Sequence, residues 1–305
     1  NNNEDYVSHL PVTVDGSCNG LQHFSAMLRD DIGGAATNLI NHEQPEDIYE
    51  IVRREAENAM VLDNNPEFNI WGSGGCLSRA LVKRPVMTTP YGATLYGMRD
   101  QIHEELKKQL DKGVVFPGID SSTDMWPHCK YLAFHIYEAI GRVVISSRLG
   151  MKWLQDVAKA SNKLKRPIYW TLPTGFVVKQ KYIRSIVKEI KTIINGRMAS
   201  LFAGSSDAEK MHSFRQVNGI APNFVHSLDA CHLMKTIVSA RDNHGIESFA
   251  VVHDSFGTHA CDIEQLGMVL RETFVDIYKE DILKKFMEEQ GDLELPSLPE
   301  YGKLN

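Results

Sequence analysis

Apolar positions along this chain recur with two different periods, and the switches between them divide it into strands and helices. Leu10-Pro11-Val12-Thr13-Val14-Asp15 alternates apolar and polar positions, is rich in β-branched residues and stops at Gly16-Ser17, which predicts a strand ending in a carboxylate. A helix is expected over about 23–29 and a second over about 45–60, where Ile48, Ile51, Val52, Ala56 and Ala59 recur at helical spacing. Asp63-Asn64-Asn65-Pro66 carries turn residues, Trp71-Gly72-Ser73-Gly74-Gly75 is a flexible approach, and a third helix is expected over about 77–88. From 120 to 160 the pattern is mostly helical, with Ser121-Ser122-Thr123 as its cap. Two strands are predicted at 167–172 and 175–178 around Pro173-Thr174-Gly175, then a basic segment to Arg197, a polar loop at 203–207 and a helix over about 221–244. Residues 249–258 form two short apolar arms around an acidic turn, a hairpin, and 265–289 reads as one or two amphipathic helices. Helices and strands mix without a βαβ rhythm, so the expected class is α+β.

Composition narrows the class. The chain has 305 residues with 43% hydrophobic and 24% charged positions, enough for one large or two ordinary packed domains. No apolar run approaches the roughly 20 residues that span a bilayer. Asn1-Asn2-Asn3-Glu4-Asp5-Tyr6 lacks the basic start and apolar stretch of a signal peptide, and a chain that begins without methionine is expected to be a piece of something longer. Five cysteines, an odd number with no Cys-x-x-Cys pair, argue against a disulfide framework or a structural zinc site and for a reducing, intracellular compartment. The formal charge of −6 argues weakly against a nucleic-acid-coating protein. That sum hides a patch: Lys152 to Arg197 holds eleven Lys or Arg and two acids, a net +9.

Three constellations could carry chemistry. Asp15 ends one apolar strand and Asp254 tips an apolar hairpin. Such carboxylates are costly without a cation or donor. Together they could hold hard divalent ions such as Mg²⁺ for phosphoryl transfer, or Asp15 could cap a helix while Asp254 makes an Asx turn. Arg79, Lys83, Met87 and Tyr91 stand four apart, which on a helix is one broad face, suited to the phosphates and sugar or base of a nucleotide or equally to a solvated stripe. Pro85 threatens to kink that helix and Pro90 to end it. The basic stretch interleaves Trp153, Tyr169, Trp170, Phe176 and Tyr182, as a nucleic-acid channel would, although a charged surface explains the cations equally well. His226 could be a buried, satisfied imidazole or a site residue. His253-Asp254-Ser255 is not a hydrolase triad, since neighbours on a strand point to opposite faces.

Taken together, these segments resemble the single-subunit RNA polymerases of T-odd bacteriophages and mitochondria. Asp15-Gly16-Ser17-Cys18-Asn19-Gly20-Leu21-Gln22-His23-Phe24-Ser25-Ala26-Met27-Leu28-Arg29-Asp30 resembles that family's first polymerase motif, and Arg79 through Lys83-Arg84-Pro85-Val86-Met87-Thr88 to Tyr91-Gly92 its second. Val252-His253-Asp254-Ser255-Phe256-Gly257-Thr258 is similar to the third, and Gly219-Ile220-Ala221-Pro222-Asn223-Phe224-Val225-His226-Ser227 to the segment before it. The wording His23-Phe24-Ser25-Ala26-Met27-Leu28 favours the phage branch.

The resemblance implies a right-hand polymerase palm with an inserted, mostly helical fingers domain: palm at 1–43, fingers at 44–226 with a promoter-reading hairpin near 177–205, and palm again at 227–305. Thumb and N-terminal domain are expected to lie outside this sequence, since only fourteen residues precede Asp15 and the end of the chain resembles a segment just short of the family's C-terminus. By the same likeness Asp15 and Asp254 hold two Mg²⁺ ions with the Gly16 carbonyl as a further ligand. Arg79 and Lys83 grip the triphosphate, and Lys83 protonates departing pyrophosphate. Tyr91 packs beside the sugar and selects the 2′-hydroxyl, Tyr49 touches the entering nucleotide, His253 lies beside the primer end, and His226 lies near the nucleotide or the minor groove. Related DNA polymerases carry a glutamate where Gly20 stands and His-Asp-Glu where His253-Asp254-Ser255 stands, so ribonucleotides are favoured. The implied activity is a DNA-directed RNA polymerase using a DNA template, an RNA transcript and ribonucleoside triphosphates. Such an enzyme would be a monomer off the membrane, in the cytoplasm of an infected bacterium or, alternatively, in a mitochondrion. A family-A-like DNA polymerase and an inactive nucleic-acid-binding fragment are the alternatives.

Overall fold

The computed structural model describes residues 8–304, with backbone alone at Ser185 and 205–209. The leading Asn1–Tyr6 stretch read above, and Asn305, lie outside the described residues. Strand β1 (Val12–Asp15) turns at once into helix α1 (Asn19–Leu28). The helix starts four residues before the expected 23, because backbone rather than a side chain closes the turn: Cys18, at φ 67°, donates its N–H to the Gly16 carbonyl at 3.0 Å. Asp30 caps α2 (Asp31–Ala36) and Asp47 caps α3 (Ile48–Asp63), accepting the Tyr49 and Glu50 N–H groups. The buried face of α3 is the row Ile48, Val52, Ala56 and Met60.

Helices α4 (Arg79–Thr88), α5 (Leu95–Asp111) and α6 (Trp126–Val143) share one core with α3, built around Trp71, Leu81, Val86, Ile102, Leu132 and Ile136. Each such buried side chain contributes about 1.5–3 kcal/mol. The expected serine cap at 121–123 does not form. Asp120 binds the Ser122 N–H and hydroxyl into a turn of their own, and α6 starts at Trp126 with a proline in its first turn. The long helical stretch breaks at Val144, after which α7 (Ile145–Lys163) begins.

Strands β2 (Ile168–Thr171) and β3 (Val177–Gln180) form the hairpin expected around Gly175. Strands β4 (Ile183–Ile194) and β5 (Arg197–Met211) form a second, longer one. Its ladder runs through Lys188↔Ala203 and Ile186↔Ser205, so the polar loop expected at 203–207 is strand instead. Helix α8 (Ser213–His244) starts eight residues before the expected 221 and carries Pro222 in its interior. The chain closes with β6 (Ala250–Val252), β7 (Ser255–Thr258), α9 (Ile263–Ile277) and α10 (Ile282–Glu289).

The three-stranded sheet has the order β1-β7-β6, all antiparallel, with Val14↔Phe256↔Val251 packed toward Leu266 and Val269 of α9. A further core joins α1, α7, α8, β2 and α10 through Phe24, Leu154, Phe224 and Phe286. Trp153 and Trp170 belong to it: both are buried, donating their indole N–H groups to the Pro296 carbonyl and the Ser227 hydroxyl. They are packing residues, not stacking surfaces for bases, whereas Tyr169 and Phe176 are exposed and Tyr182 bonds Asn223. Helices and strands segregate as an α+β fold expects, and among the described residues no helix is long and apolar enough to cross a membrane.

Candidate active site

Register brings the two aspartates together. Asp15 ends β1 directly opposite Ser255, the first residue of β7, so Asp254 in the preceding turn lies at the same end of the sheet. Both line one open cleft of about 530 Å³ with Gly16, Asn19 and His232. Asp15 does not cap α1, which has no side-chain cap, and among the described residues its carboxylate accepts only the neighbouring Gly16 N–H at 3.1 Å. The Gly16 carbonyl already accepts the Cys18 N–H, which leaves it one lone pair.

His253 and Asp254 are the two residues of the β6–β7 turn, closed by the Val252↔Ser255 pair. His253 sits at φ 55°, where tight hairpins favour glycine or asparagine, a cost of about 1 kcal/mol for an ordinary side chain. Its imidazole lies between two carboxylates: Nδ1 is 3.1 Å from Asp254 Oδ1 and Nε2 is 3.3 Å from Asp229 Oδ2. Asp229, on α8, is buried. Its Oδ1 accepts the Asn19 amide at 2.6 Å and lies 2.7 Å from His23 Nε2, while His23 Nδ1 meets the Tyr278 hydroxyl. Sequence reasoning missed Asn19, His23, Asp229 and Tyr278 as a unit.

The opposite wall is aromatic. Tyr91 follows α4 in a 3₁₀ turn, Thr89–Tyr91, rather than continuing the helical face of Arg79, Lys83 and Met87. Its ring stacks on His226 of α8 at 4.3 Å and 9°, and His226 meets His253 edge-on at 5.3 Å. Burial raises the Tyr91 hydroxyl well above its usual range, helped by the Asp229 and Asp254 charges, and burial lowers the His226 imidazole. Pro222 allows the close approach of this turn. It leaves the Asn218 carbonyl without its helical donor, and Gly92, at φ 82°, faces that carbonyl. Gly20 is needed too. A Cβ there would stand 2.6 Å from Pro90 Cγ and 3.0 Å from Tyr91 Cζ, so the space beside Gly20 is filled by the Tyr91 turn itself.

Arg79 and Lys83 lie over Tyr49, at 4.8 and 5.9 Å from its ring. Arg79 also makes a two-point contact with Asp47 at 2.5 and 3.2 Å. Burial raises the Asp47 carboxyl, but the Arg79 hydrogen bond and charge outweigh it and hold that carboxyl below its ordinary range. Lys83 has no carboxylate partner among the described residues.

Two donor sets could meet a cation. Among the described residues His226, Asp229 and His253 have ligand atoms within 4.8 Å of one another, two imidazoles and one carboxylate whose Oδ1 is already taken by the Asn19 amide. Asp15 and Asp254 offer oxygen alone on an open cleft, which fits a hard divalent ion.

The family model for DNA-dependent RNA polymerase matches residues 1–294. The chain is 37% identical over 321 residues to DNA-directed RNA polymerase 2A of Nicotiana tabacum, covering 98% of this chain and 89% of that protein. It is 36% identical over 312 residues to the mitochondrial DNA-directed RNA polymerase 1B of the same plant, and 34% identical over 352 residues to T7 RNA polymerase of Escherichia phage T7. These two matches cover 98% of this chain but only 30% and 39% of those proteins. Phage and plant relatives stand at nearly equal identity, so the phage-like wording of the first motif does not separate the branches. With a family match over nearly its whole length, the chain belongs to the single-subunit DNA-dependent RNA polymerase family.

Proposed function

We propose that this chain carries the catalytic centre of a DNA-directed RNA polymerase, which joins ribonucleoside triphosphates to an RNA 3′ end on a DNA template. The observation that carries this reading is the pairing of Asp15 with Ser255, which sets two carboxylates from opposite ends of the sequence at one edge of a cleft. Membership of the family brings divalent-metal chemistry with it, and the donor set favours Mg²⁺. Asp15 and Asp254, with the free lone pair of the Gly16 carbonyl, would hold two such ions, whose positive charge favours a 3′-alkoxide and the pyrophosphate leaving group.

The remaining work falls to side chains. Lys83, free of any carboxylate partner among the described residues, is the available cation for the triphosphate and the proton source for departing pyrophosphate. Arg79 joins it by exchanging Asp47 for phosphate, an exposed pair worth about 1 kcal/mol or less. Tyr49 lies beneath both cations. Tyr91, protonated at neutral pH and stacked on His226, offers a hydroxyl to the sugar, and His253 stands where the primer end meets the metal site. Palm at 1–43 and 227–305 with fingers at 44–226 is the domain reading that goes with these roles, and the β4–β5 hairpin is the candidate promoter reader. The enzyme would act as a monomer in a phage-infected cytoplasm or an organelle.

The test is extension of an RNA primer on a DNA template with Mg²⁺, comparing ribo- with deoxynucleotides. Ribonucleotide extension that disappears in Asp254→Asn, with template binding retained, is expected. Extension that survives the substitution sinks the metal assignment. Preference for deoxynucleotides would favour the DNA-polymerase reading. A folded chain that binds template and extends nothing would be a binding module.

A further inference from the structure

We propose that Asp229 is a positioning residue which, through the His253 imidazole, fixes the direction of the Asp254 carboxylate. This rests on the reading of Asp15 and Asp254 as metal ligands.

Three observations carry it. First, Asp229 is anchored from elsewhere in the fold: it is buried on α8, the Asn19 amide of α1 donates to its Oδ1 at 2.6 Å, and His23 Nε2 of the same helix lies 2.7 Å from that oxygen. Second, its Oδ2 is buried and without a hydrogen-bond partner among the described residues, and His253 Nε2 lies 3.3 Å from it. A buried carboxylate oxygen without a donor draws an imidazole N–H strongly. Third, His253 occupies the left-handed region in a two-residue turn, a conformation that glycine would hold without strain. A histidine kept there is kept by its ring, and that ring reaches Asp254 Oδ1 at 3.1 Å from its other nitrogen.

The chain of contacts thus runs from α1 to Asp229, to His253, to Asp254. It ties the end of β1, through the helix that follows it, to the turn bearing the second carboxylate. The logic matches the outer-shell partners that orient ligands at metal sites, whose loss typically weakens metal binding by about 10–100-fold. Electrostatic attraction by the Asp229 charge alone would give part of such an effect, so the test must separate orientation from charge.

Mn²⁺ binding to the chain, followed by the electron paramagnetic resonance signal of the free ion, gives a readout independent of catalysis. Asp229→Asn keeps the shape and loses the anion; a roughly 10-fold weaker Mn²⁺ affinity is expected. His253→Gly removes the ring while relaxing the turn. It should weaken Mn²⁺ to a similar extent with an unfolding midpoint no lower than that of the parent, and it carries the test should Asp229→Asn fail to fold. Adding Asp229→Asn to His253→Gly should then cost clearly less than it costs in the parent, because the link is already cut and only the charge is left to lose. Fully additive losses would show that Asp229 acts by charge and overturn the proposal, as would unchanged affinity in folded His253→Gly. Asp15→Asn and Asp254→Asn serve as references. If neither weakens Mn²⁺, the metal reading itself fails and this role falls with it. If both do while His253→Gly does not, the positioning role alone is wrong.

Discussion

At the scale of single residues, the site depends on one absent side chain and one protonation state. A methyl group at Gly20 would stand 2.6 Å from the Pro90 ring, which its backbone holds in place, so Gly20→Ala must push the 89–91 turn off α1. Overpacking of this kind costs about 1–3 kcal/mol. A lower urea midpoint together with weakened nucleotide binding is expected; an unchanged midpoint would mean that the turn yields freely. Tyr91→Phe keeps the ring and its stack on His226 and removes only the hydroxyl. Discrimination against deoxynucleotides should relax with modest loss of rate, and unchanged selectivity would remove Tyr91 from sugar recognition. His232, on the cleft wall, is lowered to about 4 by burial, against its hydrogen bond to the Leu270 carbonyl. The folded protein therefore keeps it neutral while the unfolded chain takes up a proton below about 6.5. Its contribution to stability is present above that pH and is lost as the pH falls toward 4, on the order of 2–3 kcal/mol. Urea unfolding at pH 7.5 and 5 should show a steeper loss in the parent than in His232→Phe, whose ring suits the neighbouring Phe256 and Phe274. Equal losses would place the pH sensitivity elsewhere.

At the scale of elements, local chemistry decided which were legible in the sequence. Alternation and turn residues disclosed β1, β2–β3 and β6–β7, and a four-residue apolar period disclosed α3. Helix α5 went unread because its buried apolar row is only Met98, Ile102 and Leu106, a narrow stripe amid charge. Local pattern read the long hairpin as a basic segment and a loop, and only the family resemblance placed a hairpin near 177–205, although Asn195-Gly196, both at positive φ, is the favoured two-residue turn and lies between apolar arms. The small polar residues of 203–207 masked a strand whose pairing, not its composition, defines it. This hairpin packs chiefly on itself, carries Arg184, Lys188, Lys191 and Arg197, and exposes Phe202 and Ile193. Cutting it back, by joining Ile190 to its partner Leu201 through Asn-Gly, removes no core contact. The shortened chain should melt where the parent does and extend a primed template equally well, while losing initiation at a promoter. Loss of primed extension would instead make the hairpin part of the catalytic body.

At the scale of the whole molecule, the strand-borne half of the candidate site was legible and the helix-borne half was not. Asp15 and Asp254 announce themselves because a carboxylate at the end of an apolar strand is costly and local. Asp229, His23 and Tyr278 become a unit only when α1, α8 and the end of α9 meet, and no periodicity encodes that meeting. The same geometry has a thermodynamic consequence. Asp15 and Asp254 lie 239 positions apart in the chain, and a divalent ion held by both, as proposed, would join two distant segments. In the unfolded chain the two carboxylates are far apart on average, and bringing them to one ion carries the loop-closure entropy of the intervening chain. Such an ion would bind the folded state selectively, and stability should rise with its concentration, by about 2.7 kcal/mol at one hundred times the dissociation constant. Unfolding followed in EDTA and in increasing Mg²⁺ should show this rise in the parent and its loss in Asp15→Asn and Asp254→Asn. Each substitution also removes one of two neighbouring negative charges, so both variants should equal or exceed the parent in EDTA. A parent midpoint indifferent to Mg²⁺ would mean that the two carboxylates do not bind the ion as a pair.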